Sequence, residues 1–174
     1  MRKTIFEIAF ERVVASEGGF QNDPKDRGNW TSGIIGRGEL KGTKFGVSAM
    51  SYPHLDIESL TIVDVREIYL RDWWDKMNLD KFPKAVAFQI FDASINHGVG
   101  QAIKMVQRAV GVLADGILGP KTLEAVRKID SDDFVLKFLA ERIDFFVRVP
   151  TFSVYGKGWM ARVSENLRRA SEDN

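Results

Sequence analysis

The sequence contains no cysteine, which rules out disulfides and cysteine-ligated metals and leaves both reducing and oxidising compartments open. It has two histidines, His54 and His97, and no His-Glu-x-x-His pair, which argues against a zinc amidase or peptidase; no metal or organic cofactor is expected. No run of about 20 apolar residues occurs, so no membrane-spanning helix or stable membrane insertion is expected. The start, "MRKTIFEIAFERVV", imitates an export signal with Arg2 and Lys3. Glu7, Glu11 and Arg12 then interrupt it before the about 7–15 apolar residues of a signal core can accumulate. Charge of one sign is also lacking: Lys+Arg 25 against Asp+Glu 24 leaves +1, too little to suggest a nucleic-acid partner. Only the tail "RVSENLRRA" is locally basic, with Arg162, Arg168 and Arg169, the pattern of a solvated helix face or of contact with an anionic polymer.

What is present is ordinary globular material. Of 174 residues, 44% are hydrophobic and 28% charged, enough for one core or a main body with a small annex. Residues 3–17 place Ile5, Ile8, Ala9 and Val13 at helical spacing, and Gly18 and Gly19 stop the pattern. Residues 20–56 are rich in Gly, Asp, Asn, Pro and Ser; a loop this long in a compact domain implies function, with short hairpins around "TSGIIG" and "TKFGVS". From Ser59 the spacing is helical through "LTIVDVREIYLRDWWDKM", "FPKAVAFQIFDASINHG", "GQAIKMVQRAVGV", "GPKTLEAVRKI" and "SDDFVLKFLAERIDFFVRV", with a last helix near 158–170. The expected class is mainly α, one globular body with a small β or loop region near the N-terminus.

The chemistry concentrates in "ASEGGFQNDPKDRGNW". Glu17 falls at the C-terminal end of an apolar helix, beside Phe20. Burial and the negative end of the helix dipole both favour its protonated form. Asp26 lies in the polar, Gly-containing run, where it is expected to stay ionised. Two carboxylates in contrasting surroundings are what glycosidases use: one protonates the leaving oxygen, the other activates water or stabilises a sugar cation. Taken alone, the same residues also read as a surface acid and a turn.

The order of blocks favours the catalytic reading. "EGGF", "NDPKDRGN" and "TKFGVS" resemble the E-G-G-Y, D-P-x-D-x-G-G and T-x-x-G-I-T blocks of the glycoside hydrolase family 108 lysozymes, which include phage endolysins and "secretion activator" muramidases. "FQIFDASINHGVGQAIKMVQRAVG" is similar to that family's F-D-x-x-V-N-x-G segment, and "ADGILGPKTLEAV" with "GKGWMARV" to its C-terminal predicted peptidoglycan-binding part. The resemblance spans nearly the whole chain.

It implies a lysozyme-like fold, a catalytic part over 1–97 and a helical wall-binding part over 98–174 packed on the first. It puts the catalytic acid on Glu17, with Asp26 as second carboxylate and Asp23 behind it; Asp23, before Pro24, also suits a turn cap. Thr43, followed by Lys-Phe-Gly-Val-Ser, matches the family threonine better than Thr31; here Gly-Asn replaces the family's Gly-Gly and "WTSGIIGRGELKG" stands between Trp30 and Thr43. Trp30 suits sugar stacking. Tyr69, Trp73 and Trp74 fit either sugar stacking or the core. Asn96 suits an N-acetyl contact oriented by Asp92, or a helix-end cap; Trp159 suits a packing anchor. The implied activity is an N-acetylmuramidase acting on peptidoglycan glycan strands, expected as a monomer made in the bacterial cytoplasm and released to the periplasm or wall by a holin-like helper. A lytic transglycosylase and a non-catalytic wall-binding or secretion-helper module are the alternatives.

Overall fold

Helix α1 (Ile5–Val14) begins where a capping box closes. Thr4 Oγ1 accepts from the Glu7 N–H at 3.2 Å, and Glu7 Oε2 accepts from the Thr4 N–H at 2.8 Å. The computed structural model describes residues 3–15 and 17–173; within them lie seven α-helices and one two-stranded sheet, the mainly α class with a small β region near the N-terminus. Packing divides the chain into two compact units, Met1–Asp72 and Trp73–Asn174.

In the first unit α1 buries Phe6, Ala9, Phe10 and Val13, a stripe at the spacing of one helix face. The helix ends at Val14, short of the expected residue 17; Ser16 lies outside the described residues. Strands β1 (Thr43–Lys44) and β2 (Val47–Ser48) form the antiparallel sheet. Helix α2 (Ile62–Tyr69) is started by a second capping box, Thr61 with Asp64, and buries Val65, Ile68 and Tyr69. The Phe10 ring meets Tyr69 edge-on, centroids 5.7 Å apart at 77°. Edge-to-face packing of two such rings is worth about 0.5–1.5 kcal/mol beyond their burial.

The helix expected to continue through Met77 does not stay α-helical. Its turns widen into a π-helix over Leu70–Trp74 and tighten into a 3₁₀ turn over Asp75–Met77, and Asn78 stops it at φ 51. The change accompanies the burial of Trp74, which is fully enclosed, donates its indole N–H to Asp80 Oδ1 at 2.9 Å and lies edge-on to Phe91.

The second unit is built around α3 (Lys84–His97), buried from Ala85 to Ser94 and packed by α4 (Val99–Ala109), α6 (Ser131–Arg148) and α7 (Phe152–Asp173). Helix α5 (Pro120–Lys128) starts with proline in its first turn and packs on α4. The Asp-Gly turn before it is held by one buried amide: Gln107 Nε2 donates to Asp115 Oδ1 and Ile117 O, and its Oε1 accepts from the Gly116 N–H. Helix α7 begins at Phe152, not near Gly158, so Gly156 and Gly158 are helical.

The centre of this unit is charged. Asp92 on α3 is buried and accepts from Arg142 Nη1 (2.7 Å) on α6 and from Arg162 Nε and Nη2 (3.0 and 2.8 Å) and Asn166 Nδ2 (2.8 Å) on α7. Burial pushes the Asp92 carboxyl up, but the two guanidiniums and these hydrogen bonds outweigh it and hold it well below the usual carboxylate range. His97 Nε2 accepts from Arg142 Nε at 3.4 Å, beneath the rings of Phe145 and Phe146. Burial first and Arg142 second lower its pKa to about 3.

That shift sets a pH dependence. Below about 6.5 the unfolded chain binds a proton at His97 that the folded chain refuses, so stability falls as pH falls towards the folded value. Urea unfolding should lose about 2 kcal/mol between pH 7 and pH 5 from this group. His97→Gln, which keeps an acceptor for Arg142 and removes the titration, should flatten that slope; an unchanged slope would show that His97 is not its source.

Candidate functional site

Beyond α1 the chain turns without leaving the helix end: the Glu17 N–H donates to Val14 O at 3.0 Å. Two residues of glycine follow, and Gly18 O accepts from the Phe45 N–H at 3.1 Å. This bond lands on the β1–β2 turn. With Thr43 opposite Ser48 and Lys44 opposite Val47, the turn is the two residues Phe45 and Gly46, at φ 49 and φ 79. Left-handed backbone at both positions is the two-residue hairpin geometry that matches strand twist, and Asn-Gly is its usual sequence. Phe in the first position is strained by about 1–2 kcal/mol. Both of its backbone polar groups are therefore tied: the N–H to Gly18 O, and the carbonyl to the Tyr69 hydroxyl at 2.8 Å.

Gly46 is required twice over. Its φ disfavours any side chain, and a Cβ there would overlap the Tyr69 hydroxyl and stand 3.4 Å from Glu17 Oε2. The Glu17 carboxylate thus lies against the turn, half-buried. Tyr69 is fully buried and offers no face to a sugar. Of the two readings open to it, stacking or core, it takes the core, and its hydroxyl holds the turn that borders Glu17.

The polar run is organised by Asn29, fully buried although sequence reading passed over it. Its Oδ1 accepts from Thr43 Oγ1 (2.7 Å) and Gln21 Nε2 (3.1 Å); its Nδ2 donates to Gln21 Oε1 (2.7 Å) and Asp23 O (2.9 Å). Its own carbonyl accepts from the N–H groups of Lys41 and Gly42. Gln21 completes the fabric by pairing through its backbone with Thr43, at 2.9 and 2.8 Å, and by donating from Nε2 to Asp26 Oδ2 at 3.2 Å. Asp26 Oδ1 accepts from the Gly28 N–H, and Asp23 Oδ1 from the Lys25 N–H, the turn-capping role open to Asp23.

The structure therefore joins Asp26 and Thr43 through Gln21 and Asn29, and leaves Asp26 exposed. Trp30 is half-buried with its indole N–H given to Pro24 O at 2.9 Å, which fixes the ring and leaves part of it open. Thr31 accepts the Glu39 N–H and braces the inserted loop.

Asp92 and Asn96 belong to the second unit. Asp92 is 3% exposed with both oxygens taken by Arg142, Arg162 and Asn166, so it anchors helices and does not touch a sugar. Asn96, half-buried, accepts from the Arg162 guanidinium at 2.8–3.1 Å in the amide orientation that satisfies both its ends. Among the described residues no group of three or more His, Cys, Asp or Glu side chains could hold a metal ion, and no helix is long and apolar enough to cross a membrane.

The turn makes a double-mutant prediction. Gly46→Ala should cost about 2–3 kcal/mol in urea unfolding, from the left-handed φ and the overlap with the Tyr69 hydroxyl. Adding Tyr69→Phe removes the overlap but not the φ, so the double variant should be less destabilised than the sum of the two single ones. Strict additivity would mean that the two groups do not meet.

The family model described as Glycosyl hydrolase 108 matches residues 10–98, and the one described as Predicted Peptidoglycan domain matches residues 101–164. No curated protein matches the chain. The solved structure of SagA from Brucella abortus is 32% identical, covers 97% of this chain and 94% of its own, and superposes with a TM-score of 0.80. A match over half the chain and a relative of this identity along nearly its full length lead to one conclusion: the chain belongs to the glycosyl hydrolase 108 family, as a hydrolase directed at peptidoglycan.

Proposed function

We propose that the protein is an N-acetylmuramidase that cleaves the β-1,4 bond between N-acetylmuramic acid and N-acetylglucosamine, with Glu17 as general acid. The observation that carries this reading is the Glu17 carboxylate set against the strained Phe45–Gly46 turn, which Gly18 and Tyr69 hold on either side. Strain that its surroundings over-determine is characteristic of functional sites. A carboxyl beside Gly46, which carries no side chain, leaves room for a bridging sugar oxygen to approach it.

Glu17 gives its proton to the glycosidic oxygen as the bond to the anomeric carbon breaks and positive charge develops on the sugar. Asp26, exposed and accepting from Gly28 and Gln21, deprotonates the attacking water or stabilises the cation. Thr43, bonded to Asn29, lines the same polar wall, and Trp30 presents its open ring face to the glycan. In this division of labour residues 1–97 act as the catalytic part and 98–174 as the part that holds the wall.

One observation favours a second reading. Both Asp26 oxygens are already engaged within the loop, so a reaction needing only one carboxyl also fits. In a lytic transglycosylase the substrate's own hydroxyl attacks, and the product is an anhydro sugar. Mass spectrometry of digested sacculi separates the two, since hydrolysis adds one water to each cut.

Glu17→Gln should lower reducing-end release from purified sacculi at least about 100-fold, the scale of a lost general acid, with an unchanged unfolding midpoint. Asp26→Asn should cost less than Glu17→Gln if Asp26 only assists water. Lysis that persists in Glu17→Gln would remove Glu17 from the mechanism.

A further inference from the structure

Helix α7 carries a surface feature that the catalytic reading does not use. Phe152, Tyr155 and Trp159 follow one another at helical spacing on one face. Trp159 is stacked on Phe146 of α6, centroids 4.8 Å apart and 19° from parallel, so its ring is fixed from beneath. Tyr155 leans on Trp159 at 5.9 Å and yet is 57% exposed. Phe152 lies over Gly156, where a Cβ would meet its ring at 2.8 Å. Internal packing accounts for that glycine.

It does not account for Gly158. This residue is helical and exposed, and a Cβ on it would meet nothing within 4 Å. Glycine is the least favourable ordinary residue in a helix interior, and no neighbour in the chain compels it here. On the helix surface it sits one turn after Val154 and Tyr155, which are 69% and 57% exposed. By helical spacing Tyr155 and Val154 flank the bare backbone at Gly158 on either side, and this gap between two exposed side chains is the trough of the proposal below.

We infer that this trough is a binding subsite for the glycan strand of peptidoglycan, with one pyranose ring stacked on Tyr155 and passing over Gly158. The inference rests on the peptidoglycan reading above. The chemistry of the trough selects the occupant. A β-linked pyranose has one flat C–H face and a polar rim, so it suits an aromatic ring held at a fixed tilt. Its N-acetyl and lactyl branches need the space that a side chain at 158 would fill. The trough also lies inside the span matched by the peptidoglycan model, residues 101–164. Trp159 is then the support of the subsite, and Tyr155 its contact.

Co-sedimentation of the full chain with purified sacculi tests this, in a Glu17→Gln background that keeps the polymer intact. Tyr155→Ala should weaken retention about fivefold, the loss of one stacked ring, and Tyr155→Trp should restore it to within about twofold. Gly158→Gln is the sharper variant. A good helix former at an exposed helical glycine should leave the unfolding midpoint unchanged or raise it, while retention falls by about fivefold or more. A Gly158→Gln protein that is as stable as wild type and pellets equally well overturns the proposal. So does a dimer in analytical ultracentrifugation that Tyr155→Ala abolishes, which would assign the trough to a second copy of the chain. Sugar release by the unmutated chain is read separately. A chain that pellets through Tyr155 but cuts nothing keeps the subsite and fails as a hydrolase; one that cuts but pellets alike in every variant does the reverse.

Discussion

The wall beside Glu17 depends on one backbone constraint: two consecutive residues, Phe45 and Gly46, held in the left-handed region. A hairpin of two-residue strands has too few ladder bonds to impose such a turn by itself. The constraint is met from outside the hairpin, by the carbonyl of Gly18 and the hydroxyl of Tyr69. Those two contacts also couple the site's parts. Gly18 follows Glu17 directly, so the bond that fixes the turn fixes the chain segment carrying the proposed acid. Tyr69 closes α2 and rests against Phe10 of α1, so the hydrophobic packing of both helices is transmitted to the turn through a single hydroxyl.

The second unit solves its positioning problem by opposite means. Where the first uses backbone strain, the second buries charge. A buried ion cluster is weak evidence for stability, since desolvating the groups costs several kcal/mol each before they attract one another. Here Arg142 Nη2 and Gln89 Oε1 are left without partners, which adds to that cost. What the cluster supplies is registration. Asp92 on α3 holds Arg142 of α6 and both Arg162 and Asn166 of α7, and one turn earlier Gln89 donates to the carbonyl of Asn166. An apolar contact would tolerate a slide of α7 along α3; these directional bonds do not. Since α7 also carries Tyr155 and Gly158, the surface trough inherits its place from the buried carboxylate.

Much of the fold was legible because its signals are local. The α1 stripe, the proline opening α5 and the Asp-Gly turn before it are each decided within a few residues, and periodicity found them. The misreadings share a different cause. Asp92 was read as orienting a sugar-contacting Asn96, and Tyr69 as either stacking or core; burial, which a single sequence does not display, assigns both to support. Asn29 was missed because an amide in a polar run looks solvated, and only its four side-chain hydrogen bonds reveal a hub. The one available signal was its departure from the family's Gly-Gly: a larger residue where glycine is usual, which asks for space and partners. The start of α7 was placed late because its two glycines resemble breakers.

That last misreading is informative about selection. Glycine inside a helix lowers stability, and a helix that keeps two within three positions, 156 and 158, must be held by something other than propensity. Gly156 is compensated by the Phe152 ring lying across it, so its cost is offset within the fold. Gly158 has no such compensation, and the deficit stays on the chain's own account unless a ligand approaches the bare backbone. The comparison separates two cases: the same residue type, two positions apart on the same helix, is explained at one by a neighbour in the structure and, on the proposal above, at the other by a glycan outside it.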